Sequence, residues 1–109
     1  MPSYSRGDVV LVRFPLSALS GAKVRPAIIV SAPHTSQDLF VLPLTSRIDL
    51  LLPGEFVLDE WKDAGLNVAS VVKRGLYTLH RNLIVKSVGA ISQSDARCVD
   101  DSLRSWLGL

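Results

Sequence analysis

The sequence predicts a mainly β, α+β fold: a small, curled antiparallel sheet carrying a short inserted helix and a C-terminal helix. Three observations predict it. Apolar residues gather in short runs rich in Val, Ile and Leu, which suit the pleated, half-buried surface of a sheet. Gly, Pro, Ser and Asp separate these runs as turn residues do. Clear helical spacing of apolar residues appears near the C-terminus, at Ala96, Val99, Leu103 and Trp106.

The elements follow in order. Residues 7–14 (GDVVLVRF) put Val9, Leu11 and Arg13 on one face and Val10, Val12 and Phe14 on the other, a strand with at least one buried side. Pro15 stops it, and residues 15–24 (PLSALSGAKV) read as a loop in which Ser17, Ser20 and Gly21 give the composition of a mobile lid. Residues 27–31 (AIIVS) form a second strand, with Pro26 tolerable at its head. After a turn at 33–37 (PHTSQ), residues 38–44 (DLFVLPL) form a third, and Pro43 marks an edge or a bulge near its end. Residues 45–54 are a polar loop broken by Leu50, Leu51 and Leu52, and residues 55–58 a short fourth strand. Residues 59–64 read as a short helix, with Asp59 as its cap and Gly65 at the left-handed position after it. A fifth strand at 67–73 breaks at Gly75, and a further strand at 83–91 (LIVKSVGAI) has the makings of a bulge at Gly89. Ser92 and Asp95 resemble a capping box that opens the final helix. An SH3-like barrel fits this pattern best. Periodicity counts the strands; it does not dictate whether they close.

Composition narrows the function classes. A chain of 109 residues suits one domain, residues 1–109, whose modest core makes dimerisation a natural way to bury more surface. Hydrophobic residues at 48% and charged residues at 20% are globular values, not disordered ones. Twelve Lys and Arg against ten Asp and Glu leave a net charge of +2 and a pI near 9.0, which permits a nucleic-acid partner without requiring one. The lone Cys98 excludes an intramolecular disulfide and a thiolate cluster, and His34 and His80 share no metal-ligand spacing with it. No metal or other cofactor is implied. The opening MPSYSRGD lacks a signal peptide's apolar core, and every apolar run stops short of spanning length. The expectation is a cytoplasmic protein with no membrane partner.

Four ordered motifs resemble the MazF/PemK toxin family. They are Gly7-Asp8-Val9-Val10-Leu11-Val12, Arg25-Pro26-Ala27-Ile28-Ile29-Val30-Ser31, Leu42-Pro43-Leu44-Thr45-Ser46 and Ser87-Val88-Gly89-Ala90-Ile91-Ser92. The resemblance implies a homodimeric SH3-like barrel that cleaves single-stranded RNA, normally mRNA, and is inhibited by a cognate antitoxin. It implies that Arg25 is the active-site arginine and that Thr45, with Ser46 beside it, is the hydroxyl opposite. One stretch departs from the family: where many members have Arg-Thr-Ile-Asp, this chain has Tyr77-Thr78-Leu79-His80, without the arginine and the acid.

The residue chemistry suits that reading. Metal-free RNA cleavage uses the substrate's 2′-hydroxyl as nucleophile, so the protein must move two protons and stabilise a doubly charged phosphorane. A fixed guanidinium such as Arg25 can hold two phosphoryl oxygens but is a poor proton-transfer group. Thr45 can bond a phosphate oxygen or orient water, and is a weak base. His80 stands as a candidate for proton transfer because histidine titrates near neutral pH. Lys23, Lys73 and Arg74 are candidate phosphate contacts, and Phe14 and Tyr77 candidate stacking faces for unpaired bases. Each has a plainer reading: Arg25 as a strand-edge charge, Thr45-Ser46 as a turn, His80 as a surface or capping residue, and Lys73-Arg74 as a solvated turn. Trp61 and Trp106 suit the core or a dimer contact better than a base platform. Two other functions stay open, a non-catalytic RNA-binding SH3-like module and a dimeric module whose groove holds only a partner peptide.

Overall fold

The computed structural model describes residues 3–15 and 22–109. Strands β1 (Asp8–Pro15), β2 (Ala22–Ile29) and β3 (Asp38–Thr45) form an antiparallel meander. Two edge partners lie along β3: β6 (Tyr77–His80) pairs its first half and β5 (Val71–Val72) its last two residues. Strand β4 (Phe56–Val57) pairs β5, while β7 (Ile84–Ala90) pairs the far edge of β1. Helix α1 (Gln93–Leu107) follows.

The order β6-β3-β2-β1-β7 has its two end strands joined only by the 3₁₀ turn Arg81–Leu83. The sheet must therefore curl until its ends approach. No ladder joins β6 to β7 among the described residues, so the barrel stays open there. Inside the curl, Val10, Val12, Ala27, Ile29 and Val41 are fully buried, with Phe14, Leu39 and Leu79 around them. The other face packs Val9, Ile28, Leu42 and Leu44 against Leu58, Val72 and, from α1, Val99 and Leu103. This two-sided burial explains why β1 is apolar on both faces. Each fully buried Val, Leu or Ile contributes about 1.5–3 kcal/mol. Trp61 and Trp106 pack on this second core, and Trp106 Nε1 donates to the Pro53 carbonyl at 2.9 Å.

Pro43 sits where the outer edge of β3 changes hands. β6 pairs residues 38–41 and β5 pairs 44–45, while the Pro43 carbonyl accepts from Lys73 N at 3.0 Å. Its missing N–H would have pointed to the same edge, so no ladder bond is lost where the two partners divide. The expected bulge is present, since Val9 faces Gly89 while Val10 faces Ser87.

Several local expectations need correction. Residues 59–65 are a run of turns and not a helix. Ala64 N donates to the Glu60 carbonyl as one isolated α-turn, and six residues are too few to hold a helix by themselves. Asp59 does not cap it; the Asp95 carboxylate accepts from Asp59 N at 3.0 Å and Glu60 N at 3.1 Å. Ser92 does cap α1, accepting from Asp95 N at 3.2 Å, but the reciprocal half of the capping box is diverted to this turn. β2 begins at Ala22, ahead of residue 27, and the fifth strand shrinks to Val71–Val72. The proposed lid largely lies outside the described residues, at 16–21.

Candidate active site

Three strand ends meet at one end of the curl: the last residues of β1, the first of β2 and the last of β3. Arg25 faces Val12 across β1 and β2. Continuing the Ala27–Pro43 register by two residues brings Arg25 opposite Thr45. Both side chains line two clefts. The first, of about 610 Å³, adds Phe14, Arg47, Asp49, Lys73, Arg74 and Tyr77. The second, of about 510 Å³, adds Ser46, Asn67, Ser70 and Lys86. Arg25 and Thr45 thus stand on a ridge between them.

Arg25 is exposed, and among the described residues it makes no hydrogen bond or ion pair. Thr45 Oγ1 accepts from Arg47 N at 3.2 Å, which fixes the turn after β3, and among the described residues the hydroxyl donates to no other group. The first cleft gathers Arg25, Arg47, Lys73 and Arg74 around a single lining carboxylate, Asp49. Such convergence favours an anion.

The cations are not equivalent. Lys73 Nζ donates to Glu55 Oε1 at 2.9 Å, and Leu52 N donates to the same oxygen at 2.8 Å. Arg74 N donates to Oε2 at 2.9 Å. The Glu55 side chain is only 1% exposed, so a buried carboxylate neutralises the lysine from behind the lining residues. Burial acts to raise its pKa, but the Arg74 and Leu52 N–H groups and Lys73 outweigh it and hold the carboxyl below the ordinary glutamate value. The resulting stability is fully present above that ordinary value and is lost as pH falls through the lowered one. Truncating Glu55 would cost about 1–3 kcal/mol for each backbone N–H left unsatisfied.

The other sequence-derived candidates separate. Tyr77 is 47% exposed and offers its ring to the cleft. Phe14 is buried and meets Tyr77 edge-to-face, with centroids 5.4 Å apart, so it supports that ring and is not itself a stacking face. Ser46 lines the second cleft alone, and exposed Lys23, opposite Phe14, lines neither. His80 is apart: it pairs with Asp38 at the other end of β3, about 20 Å from Thr45 at the rise of a strand. There its Nδ1 accepts from Asn82 N at 3.0 Å and caps the 3₁₀ turn, the plainer of its two readings. Sequence reasoning missed Arg47, Glu55, Asp49 and Lys86 as lining or wall residues. Only Glu55 carried a signal, an acid at the head of the apolar run 56–58.

Residues 5–107 match the model of the PemK-like, MazF-like toxins of type II toxin–antitoxin systems. The chain belongs to this family. The PemK/MazF member is similar to a chain of a MazE–MazF crystal structure from Deinococcus radiodurans, with a TM-score of 0.81 and 20% identity over 100% of this chain and 99% of that one. An endoribonuclease from a mycobacterial species gives a TM-score of 0.78 at 20% identity, covering 100% of this chain and 95% of the other. The Mycobacterium tuberculosis toxin MazF-mt6 gives 0.74 at 19%, covering 94% and 97%. At these identities the likeness is one of fold. No curated protein sequence matches the chain. Among the described residues, no helix of this family member is long and apolar enough to cross a membrane.

Proposed function

We propose that this PemK/MazF-family chain is a metal-independent endoribonuclease that cuts single-stranded RNA and is held in check by a cognate antitoxin. The observation that carries the reading is the Arg25 guanidinium, unpaired among the described residues and opposite the Thr45 hydroxyl, on a ridge between two clefts with Arg47 and Arg74 lining the first. A strand laid from one cleft to the other sets a phosphate over that ridge. The 2′-hydroxyl gives its proton to water as it attacks phosphorus, the bond from phosphorus to the 5′-oxygen breaks, a 2′,3′-cyclic phosphate forms, and the 5′-oxygen leaves as a hydroxyl with a proton taken from water. Arg25 holds the non-bridging oxygens as their charge grows, and Thr45 donates to one of them. Tyr77 stacks on an unpaired base beside the cut. The antitoxin offers an acidic segment to the same groove. The working form is a homodimer of a single domain, residues 1–109, in the cytoplasm. The family assignment supports the reading of an RNA-cutting toxin checked by an antitoxin, as do the endoribonuclease and MazE–MazF structures of the same fold.

The test is digestion of a long single-stranded RNA in EDTA with identification of the product ends. Cyclic phosphate and 5′-hydroxyl termini at discrete sites are expected. RNA bound but left intact would favour a non-catalytic binding module. In the same assay His80→Gln should cut at the wild-type rate, because His80 lies far from the ridge. A large rate loss in a folded His80→Gln protein would return it to the mechanism.

A further inference from the structure

Resting on the RNA-cleavage reading, we propose that Glu55 is a positioning residue that sets how many cations the cleft offers to RNA. Its carboxylate engages Lys73 and, through backbone N–H groups, ties the loop ending at Leu52 to the turn at Arg74. Both segments line the first cleft, Arg47, Asp49 and Leu50 from one and Lys73, Arg74 and Gly75 from the other. One buried group therefore holds the two segments at a fixed separation. It also withdraws Lys73 from the strand, leaving Arg25, Arg47 and Arg74 as the phosphate-binding set. All three are guanidiniums, which grip phosphate oxygens in a fixed fork, whereas an ammonium binds as a mobile point charge. A fourth, loose cation would tighten non-productive binding without improving the alignment of the reacting phosphate.

The counterion-release slope of RNA binding reads this directly. A short 2′-O-methyl RNA, which lacks the nucleophile, is titrated with each variant over a range of salt concentrations. Glu55→Gln frees Lys73 while keeping the side-chain shape, so the slope of log affinity against log salt should steepen by about 0.7, the value for one added contact on a single strand. Its cleavage of ordinary RNA should slow in kcat while KM falls. Lys73→Met, at a half-exposed site that disturbs folding less, should leave the slope at the wild-type value. A slope lowered by about 0.7 in Lys73→Met would show that Lys73 already contacts RNA and would overturn the proposal. So would an unchanged slope in a folded Glu55→Gln protein. A wild type that binds the RNA without cutting its unmodified form sinks only the cleavage reading, and one that binds no RNA at any salt overturns both.

Discussion

Replacing Arg25 with alanine is expected to lower RNA cleavage by roughly 10³-fold or more while leaving the protein folded. A factor of 10³ corresponds to about 4 kcal/mol of transition-state stabilisation, a reasonable share for a fixed cation facing a doubly charged phosphorane. The side chain is exposed and has no partner among the described residues, so its loss should change stability by no more than about 0.5 kcal/mol. Arg25→Lys is the sharper comparison. It keeps the charge and loses the fork, so it should bind RNA with the same salt dependence yet recover little of the rate. Near-wild-type cleavage by a folded Arg25→Ala protein would move the chemistry off the ridge and the assignment of Arg25 with it.

The largest expected effect on stability lies on the opposite side of the second cleft. Gly65 and Gly89 are packed backbone to backbone: a Cβ on Gly89 would run into the Ala64 carbonyl, and one on Gly65 into the Val88 carbonyl. Neither obstacle is the flexible end of a side chain, so the turn at 59–65 and the bulge of β7 would have to part. Gly89→Ala should therefore cost about 3 kcal/mol, the upper end for overpacking a tight interior. At about 4–6 °C per kcal/mol for a domain of this size, the midpoint of thermal unfolding should fall by more than 10 °C. Because Leu66, Asn67, Val68 and Ser70 follow this joint and line the second cleft, cleavage should weaken well below the melting range too. An unaltered melting curve would mean that the two segments are not in contact.

Much of this architecture is legible in the chain, and the illegible parts share a cause. The meander and β7 announce themselves because Val9, Val10, Val12, Ile28, Ile29 and their neighbours are apolar on both faces, as a sheet with a core on each side demands. α1 is legible from its apolar spacing and from Ser92. β6 is not: of Tyr77, Thr78, Leu79 and His80 only Leu79 is buried, so no alternation survives. The turn at 59–65 carries correct local signals for a helix end, yet what holds it is Asp95, 36 residues away. The site divides in the same manner. Arg25 and Thr45 were found through motifs that resemble a family. The Glu55 clamp depends on two loops meeting, and nothing local to either records the meeting. His80 drew attention by residue type and by its place in the family alignment of motifs, and strand geometry carries it to the far end of β3.

The pairing of β1 has a consequence for biosynthesis. One of its edges is satisfied at once by β2, through a connection short enough to close as the chain emerges. The other waits for β7, and the ladder from Asp8 to Ala90 joins residues 82 positions apart. Contacts of such range form late, after the entropy of a long loop has been overcome. Until then a nascent chain carries a long, apolar, unpaired strand edge, the kind of surface that invites association with other chains. Arg25 and Thr45 are made early on the ribosome, but the sheet that holds their clefts in shape cannot be completed until the final strand is released from the tunnel.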